Sequence, residues 1–251
     1  GLHQEDSVSA LGLTQQKEFD LERRYETINA FAGEVTKEGL QELQNNPDVE
    51  KVIVDKVRQI FLSDSAPLVN ANDVWNISVN GHAIDGEGQT VCVVDTGIDY
   101  NHVSLGSGFG NKVVAGFDFA NNDSDPLDDH GHGTHVAGIV ASTDETYKGV
   151  APGAKLAALK VCSAAGSCSD SDVLAGIDWC ISNAAAYNIS VISISLGGGS
   201  YTSYCDETAD FSPYADVINN AVANGISVVA ATGNSGSGAI SGPACVQNAT
   251  R

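Results

Sequence analysis

The chain has 251 residues, 42% of them hydrophobic, which is enough to bury a substantial core in one large domain or two unequal ones. Its 12 lysines and arginines are outnumbered by 32 aspartates and glutamates, and the net charge of −20 repels nucleic-acid phosphates and anionic lipids. No apolar run approaches the roughly 20 residues that span a bilayer. We therefore expect neither nucleic acid nor a membrane as a partner, and an export signal would have to lie before Gly1.

The six cysteines form an even set without the Cys-x-x-Cys spacing of a structural zinc site, so the sequence favours disulfides. The predicted pairs are Cys162–Cys168, which flank a loop of small residues, and Cys205–Cys245, which lie in loops rich in glycine, serine and proline. Cys92 falls in an apolar strand and Cys180 late in an amphipathic helix. For these two the pattern favours buried free thiols and leaves the alternative of a disulfide open.

The first elements in chain order form a small unit. Its pattern predicts a strand over Tyr25–Val35, a helix over Thr36–Asn45, a turn at Pro47-Asp48, and β-branched strands over Val49–Val54 and Val57–Leu62. The polar stretch from Ser63 to Pro67 follows, and its proline favours an extended, exposed and cleavable backbone. We place the domain boundary there, with an N-terminal extension and a small α+β domain over residues 1–62 and a larger domain over residues 63–251.

Apolar strands alternate with helical segments through the second domain. Strands are predicted over Val91–Val94, Lys155–Val161, Ser190–Leu196 and Ile226–Ala231, and helices over His132–Ser142, Ser169–Tyr187 and Ser212–Asn224. This order is typical of a doubly wound α/β fold, whose mostly parallel sheet is covered by helices on both faces. Asp95, Gly197 and Asn234 each come just after a strand, at the edge where such sheets bind ligands.

Two short strings place an acid and a base at this edge. Asp95, in Val93-Val94-Asp95-Thr96-Gly97, follows an apolar strand, and a carboxylate held in such a turn can orient an imidazole. Asp-Thr-Gly also marks aspartic proteases, but these need a second copy, and the sequence has none. His132 begins a helix rich in glycine and alanine. His130 and His135 are near enough in sequence for a zinc site, but the glutamate of a His-Glu-x-x-His helix is missing.

Two further strings supply an edge for a peptide and a hydrogen-bond donor. Ser195–Gly199 ends an apolar strand with three glycines, so its backbone can accept an extended peptide as another strand, or form a loop that needs positive φ. Asn234 follows Ala231-Thr232-Gly233 at the end of another strand. Its side-chain amide can donate to an oxyanion that develops in a cleft.

All four strings occur in this order in the subtilisin-like serine proteases, which the chain resembles over nearly its whole length. The most specific string is His132-Gly133-Thr134-His135-Val136-Ala137-Gly138. The resemblance implies a subtilisin-like doubly wound, mostly parallel sheet, incomplete in this chain, preceded by a small α+β propeptide domain. It makes Asp95 the orienting acid, His132 the general base and Asn234 the side-chain oxyanion donor of peptide-bond hydrolysis.

The same resemblance implies a substrate, an inhibitor and a location. Two walls would form the pocket for the residue before the scissile bond: Ser195, Leu196 and Gly197 on one side, and Ala231, Thr232 and Gly233 on the other. Their small surfaces favour large hydrophobic or aromatic residues. The chain's own propeptide would act as an intramolecular inhibitor and be cut off after Phe61 or Leu62. The protein would be secreted and act on peptides or proteins outside the cell.

One part of the family pattern is missing. Only 17 residues follow Asn234, and they contain no Gly-Thr-Ser turn that could supply a nucleophilic serine. We therefore expect this chain by itself to be inactive. The alternative is a catalytically dead homologue that binds peptides or acts like an inhibitor.

Calcium is the cofactor that the resemblance suggests. Ser104 stands where the family's strong calcium site has an aspartate, which weakens that site. An oxygen-rich loop resembles the additional calcium loop of thermitase-type members; its ligands would be Asp118, Asn121, Asp123 and Asp125. The other interpretation of this loop is a solvated acidic segment without a metal.

Overall fold

The structure, a computed structural model, describes residues 19–55, 57–60, 71–75, 77–236 and 238–251. The described part of the N-terminal unit begins with the antiparallel strands β1 (Phe19–Arg24) and β2 (Phe31–Val35), which the helix α1 (Lys37–Asn45) follows. Thr36 caps the helix, because its side chain accepts a hydrogen bond from the backbone N–H of Gly39. The unit has a small core of its own, formed by Phe19, Leu21, Phe31, Leu43, Val49 and Val52.

The strands of this unit differ in part from the prediction. The predicted strand over Tyr25–Val35 is wrong between Tyr25 and Ala30, where the backbone turns and the N–H of Tyr25 bonds to the carbonyl of Ala30 (3.3 Å). The segment Val49–Val54 forms no strand, because Val49 and Val52 pack on the small core and pair with no neighbouring strand. The strand β3 spans Val57–Ile60. The predicted cleavage positions and the boundary at residues 63–67 lie outside the described residues.

The main sheet has five parallel strands: β6 (Thr90–Asp95), β7 (Val113–Asp118), β8 (Lys155–Lys160), β10 (Ile189–Ile194) and β12 (Ser227–Ala230). They lie side by side in the order β12-β10-β6-β8-β7. Alternate residues of β6 join different cores: Cys92 and Val94 pack in one hydrophobic cluster, Val91 and Val93 in the other. Since both faces are buried, the predicted α/β fold with a doubly wound sheet is confirmed.

The predicted helices of the larger domain begin and end close to the expected positions, whereas the short helix Ala71–Trp75 and a 3₁₀ turn were not predicted. The helices of this domain are α2 (Ala71–Trp75), α3 (His132–Ala141), α4 (Asp170–Ser182), α5 (Ala184–Tyr187) and α6 (Ser212–Ala223), with a 3₁₀ turn at Val103–Leu105. The single helix predicted over Ser169–Tyr187 is divided at Asn183, whose side chain and backbone N–H both bond to the carbonyl of Trp179. No helix in the described part of the chain is long and apolar enough to cross a membrane.

Two smaller sheets complete the fold. A short hairpin joins β4 (Ser78–Val79) to β5 (His82–Ala83). The other sheet has four strands in the order β13-β11-β3-β9, with β9 (Ser167–Ser169), β11 (Leu196–Tyr201) and β13 (Ile240–Gly242). Its third strand, β3, comes from the N-terminal unit and lies antiparallel between two edges of the larger domain.

All six cysteines are paired. The bonds Cys162–Cys168 and Cys205–Cys245 confirm the two predicted disulfides. The prediction of free thiols at Cys92 and Cys180 is wrong, because these residues form a third disulfide that ties β6 to α4 across 6.1 Å between Cα atoms. Hydrophobic periodicity indicated that each is buried, but it carried no information on which strand and helix pack together.

The three disulfides close loops of different length, so their contributions to the free energy of unfolding can be compared within one protein. The Cys92–Cys180 bond spans 88 residues and the Cys162–Cys168 bond spans 6. A cross-link stabilises mainly by restricting the unfolded chain, and more so for a longer loop. Replacing Cys92 and Cys180 by alanine should lower the free energy of unfolding by about 2 kcal/mol more than the same replacement of Cys162 and Cys168. Denaturant unfolding of both double variants measures this; equal losses would contradict the loop-length argument.

Candidate active site

A buried hydrogen bond joins Asp95 to His132. Asp95 ends β6 and is fully buried; its Oδ1 lies 2.6 Å from Nδ1 of His132, the first residue of α3, and also accepts the backbone N–H of Thr96 at 2.8 Å. An ionised carboxylate can only accept, so Nδ1 of His132 carries the proton. When the ring is neutral, the opposite nitrogen, Nε2, therefore carries the lone pair.

Burial and hydrogen bonding act in opposite directions on Asp95. Burial raises the pKa of its carboxyl, while the hydrogen bond and charge of His132 and the N–H of Thr96 lower it. Burial prevails, and the pKa lies above its ordinary value. The ionised form of Asp95 thus depends on its partner, as expected of a carboxylate whose task is to hold one imidazole.

Glycines allow the two elements that carry this pair to approach closely. A Cβ on Gly133 would lie 2.1 Å from the carbonyl oxygen of Gly97 and 3.2 Å from Cβ of Asp95. Any side chain at position 133 would push the start of α3 away from the tip of β6. Gly97 itself has φ of +100°, a conformation that favours glycine in the turn after Asp95.

An extended segment of the chain occupies the predicted peptide edge. In β11, Leu196 pairs with Ile60 and Gly197 with Gln59, both antiparallel. On its other side this segment pairs with β9, where Gln59 faces Ser167. The edge at Leu196 and Gly197 therefore accepts an extended strand, and β9, which the sequence pattern did not predict, supplies a second edge.

The other predicted substrate residues lie after β12. Thr232 and Gly233 line a cavity of about 770 Å³ together with other residues, which include Tyr201, Tyr204, Ile240 and Arg251. The residues Ser195, Leu196 and Gly197 do not line this cavity. The N–H of Ala231 bonds to the carbonyl of Ile194 (3.0 Å), the residue just before the wall that begins at Ser195. Asn234 is exposed and follows β12. In the sheet, β10 alone lies between β12 and β6, the strand that ends in Asp95.

The loop predicted to bind calcium is held by its own hydrogen bonds. Both carboxylate oxygens of Asp118 accept from Asn121, Asp123 accepts the N–H of Asp125, and Asp125 accepts the hydroxyl of Tyr100. Across the described ranges, no group of three or more His, Cys, Asp or Glu side chains is arranged to hold a metal ion. In this arrangement the hydrogen bonds within the loop use the carboxylate oxygens that a calcium ion would need, and the described residues show no metal site for calcium or zinc.

The N-terminal unit is bound by a carboxylate in the middle of α4. Asp178 is buried and accepts the backbone N–H groups of Glu26 and Thr27, each at 2.8 Å. Asn220, in α6, donates from its side chain to the carbonyl of Thr27 (3.2 Å). A turn of the N-terminal unit thus has its backbone groups satisfied by side chains of the larger domain.

Further polar contacts join the same two parts at the first turn of α4. Asp55 accepts the backbone N–H of Ser171 at 2.9 Å, where the positive end of the helix dipole favours a carboxylate. Arg23 forms an ion pair with Asp172, and its guanidinium lies 5.4 Å from the ring centre of Phe119. The N-terminal unit is therefore anchored on α4 as well as through β3.

Comparison with known proteins assigns both parts. Residues 86–250 match the family described as "Subtilase family", and residues 2–61 match the family described as "Peptidase inhibitor I9". The chain belongs to the subtilase family. The subtilases are serine peptidases, and the inhibitor match identifies the N-terminal unit as an I9-type propeptide domain.

Several curated proteases are similar to this subtilase. Serine protease AprX of Bacillus subtilis (strain 168) is 35% identical over 236 residues, which cover 89% of this chain and 50% of that protein. Alkaline serine exoprotease A of Vibrio alginolyticus is 34% identical (83% and 38%), and M-protease of Shouchella clausii (strain KSM-K16) is 32% identical (97% and 59%). The chain thus spans 38% to 59% of the length of these relatives.

Among solved structures, this subtilase is similar to one described as a cold adapted subtilisin-like serine proteinase. The identity is 34%, the match covers 64% of this chain and 53% of that chain, and the TM-score is 0.48.

Sequence reasoning missed two carboxylates: Asp178, which binds the N-terminal unit, and Asp128, which lies beside the Asp95–His132 pair. Asp178 lies between buried positions of α4, and a charged residue on a buried helix face is a signal that a partner must exist. Asp128 stands four residues before His132 and accepts hydrogen bonds from several residues around the start of α3. Its position in a polar loop gave no such signal.

Proposed function

We propose that the protein is a subtilisin-type serine endopeptidase that cleaves peptide bonds by acyl transfer. The observation that carries the proposal is the buried 2.6 Å hydrogen bond between Asp95 and His132 at the carboxyl edge of the sheet. The strand β11 begins at the same edge of the sheet, directly after β10, and pairs with β3 as a neighbouring extended strand. An oriented base near an edge that binds an extended strand supplies two of the parts that peptide hydrolysis requires; the third is a nucleophile.

His132 acts as the general base in this mechanism. Its Nε2 takes the proton of a serine hydroxyl while the serine oxygen attacks the carbonyl carbon of the scissile bond. The protonated ring then gives that proton to the leaving amine, and an acyl-enzyme remains. Water, deprotonated by the same nitrogen, then attacks the ester; the ester C–O bond breaks, the ring gives the proton to the serine oxygen, and the acid is released. Asp95 keeps the ring in the correct tautomer and stabilises its charged form.

Asn234 and the two walls bind the reacting carbonyl and its side chain. The amide of Asn234 donates to the oxyanion; for a subtilisin, the loss of this donor lowers kcat about a hundred- to a thousandfold. The walls at Ser195–Gly197 and Ala231–Gly233 take the residue before the scissile bond. Their few side-chain atoms leave room for a large apolar residue.

The N-terminal domain, residues 1–62, acts as an intramolecular inhibitor of the domain over residues 63–251. Support comes from β3, which fills the place of a substrate strand between β9 and β11. The main chain is cut after Phe61 or Leu62, directly beyond this strand. The mass of the processed product distinguishes these two positions.

Secretion and calcium binding are further parts of the proposal. Three disulfides favour an oxidising compartment, and a similar protein, 35% identical over 202 residues, is named Minor extracellular protease Vpr, from Bacillus subtilis (strain 168). Calcium at Asp118–Asp125 stays a prediction; binding there would have to displace the hydrogen bonds within the loop. No step of the mechanism involves the ion.

A fluorophosphonate probe tests the role of this chain, because it reacts with an activated serine. The 251-residue chain has no Gly-Thr-Ser turn, so we expect no labelling, while the longest chain that the coding sequence specifies should be labelled at one serine. Heat-denatured protein controls for unspecific reaction. Labelling of the 251-residue chain would contradict our view that its nucleophile is missing. A full coding sequence without a reactive serine would instead support a dead homologue that binds peptides.

A further inference from the structure

Asp128 is the most heavily hydrogen-bonded carboxylate near the Asp95–His132 pair. It lies in the loop before α3, four residues from His132. Its two oxygens accept five hydrogen bonds, from the hydroxyl of Thr96, the backbone N–H of His130 and Gly131, and both the N–H and the hydroxyl of Thr134. The Asp128 side chain therefore fixes the backbone just before α3 and in its first turn, and it also bonds to Thr96, directly after β6.

The link to β6 passes through a buried hydroxyl. Thr96 is fully buried; its Oγ1 donates to Asp128 (2.9 Å) and accepts the backbone N–H of Gly133 (2.8 Å). Thr96 directly follows Asp95, and Gly133 directly follows His132. The two backbone segments that carry the acid and the base are thus connected by a chain of two hydrogen bonds that ends on Asp128.

Three of the five groups around Asp128 are backbone N–H donors and the other two are hydroxyls that can donate, so an ionised carboxylate can accept from all of them. Burial raises the pKa of the Asp128 carboxyl, but the bonds from Thr134, Gly131 and His130 outweigh it and hold the pKa below its ordinary value. The carboxylate is therefore ionised throughout the neutral range. An asparagine at this position would turn its NH₂ group toward at least one of these donors.

We propose that Asp128 is a positioning residue, which fixes Asp95 and His132 in hydrogen-bonding geometry through Thr96 and the start of α3. The proposal rests on the proposed function for its consequence, because alignment matters where a proton is transferred. A displacement of about 1 Å in such a site lowers the rate on the order of a hundredfold.

The test uses nuclear magnetic resonance of the 251-residue chain, so it needs no peptidase activity. A proton held between Nδ1 of His132 and Asp95 gives a far-downfield signal that exchanges slowly with water. Asp128→Asn and Thr96→Val, which removes only the hydroxyl in a similar shape, should move this signal upfield and speed its exchange about tenfold or more. Thr96→Ser keeps the hydroxyl and should restore both.

Asp144→Asn is the matched control, because the Asp144 carboxylate also accepts two backbone N–H groups, those of Thr146 and Tyr147, but in the loop after α3. It should leave the His132 signal unchanged. In an active form of the protease, Thr96→Val should lower kcat about tenfold or more with KM unchanged, and Thr96→Ser should not.

The outcomes separate this inference from the proposed function. An unchanged signal in folded Asp128→Asn and Thr96→Val would overturn the positioning role and leave the peptidase proposal intact. If Asp128→Asn does not fold, the comparison of Thr96→Val with Thr96→Ser decides. Absence of the downfield signal from the wild-type chain would show that Asp95 and His132 do not form this hydrogen bond. That result would contradict both proposals.

Discussion

Asp95→Asn should lower kcat about 10⁴-fold at neutral pH in an active form of the protease; this magnitude is known for the same change in an unrelated serine protease with the same constellation. The amide can present its NH₂ group to Nδ1 of His132. The ring then changes to the other tautomer and carries its proton on Nε2, where it cannot accept one from serine. The measurement is steady-state hydrolysis of a peptide with a large apolar residue before the scissile bond.

Asp99→Asn provides the matched control. Asp99 lies four residues further along, and its carboxylate accepts the backbone N–H of Asn101 outside the pair. The same loss of one charge should leave kcat within a few-fold of the wild type. If Asp95→Asn retained more than a tenth of the activity, Asp95 would not be the group that orients the base.

Asp178→Ala should weaken the binding of the processed propeptide to the catalytic part about a thousandfold. Two backbone N–H groups, those of Glu26 and Thr27, donate to this buried carboxylate. A hydrogen bond to a charged group contributes about 1.5–3 kcal/mol, and both bonds are lost together. The dissociation constant can be measured by titrating the processed, active form of the protease with propeptide and following the inhibition of hydrolysis.

Hydrogen exchange in the uncut chain locates the effect. The amides of Glu26 and Thr27 should lose their protection in Asp178→Ala, while the amide of Gly39, bonded to Thr36 within the propeptide, should keep it. Asp206→Ala, which removes a carboxylate bonded to the N–H of Gln247, should change neither readout. Unchanged inhibition by the propeptide would show that Asp178 is not an anchor of the interface.

The parts of the site that sequence could predict are those encoded by local pattern. An apolar run that ends in Asp95-Thr96-Gly97 describes a buried strand followed by a tight turn, and the structure has both. The small residues after His132 predict a helix that can approach a strand closely, and Gly133 does so. These features need only the neighbours in the chain, so the local sequence suffices to specify them.

Features that depend on distant parts of the chain were not predictable in this way. The strand β7 was missed because it contains Gly116, a weak strand former; a Cβ there would lie 2.3 Å from the carbonyl oxygen of Ala158, so glycine is required by the neighbouring strand. The Cys92–Cys180 bond depends on how α4 packs on β6. The insertion of β3 between β9 and β11 joins segments more than a hundred residues apart.

The most direct test of the account is the structure of a fluorophosphonate adduct formed with the longest chain that the coding sequence specifies. The account predicts that the labelled serine lies within hydrogen-bond reach of Nε2 of His132, with a phosphonyl oxygen about 3 Å from the side-chain nitrogen of Asn234. An adduct on a residue remote from His132, or an Asn234 side chain turned away from it, would contradict the claim that Asp95, His132 and Asn234 serve one hydrolytic centre.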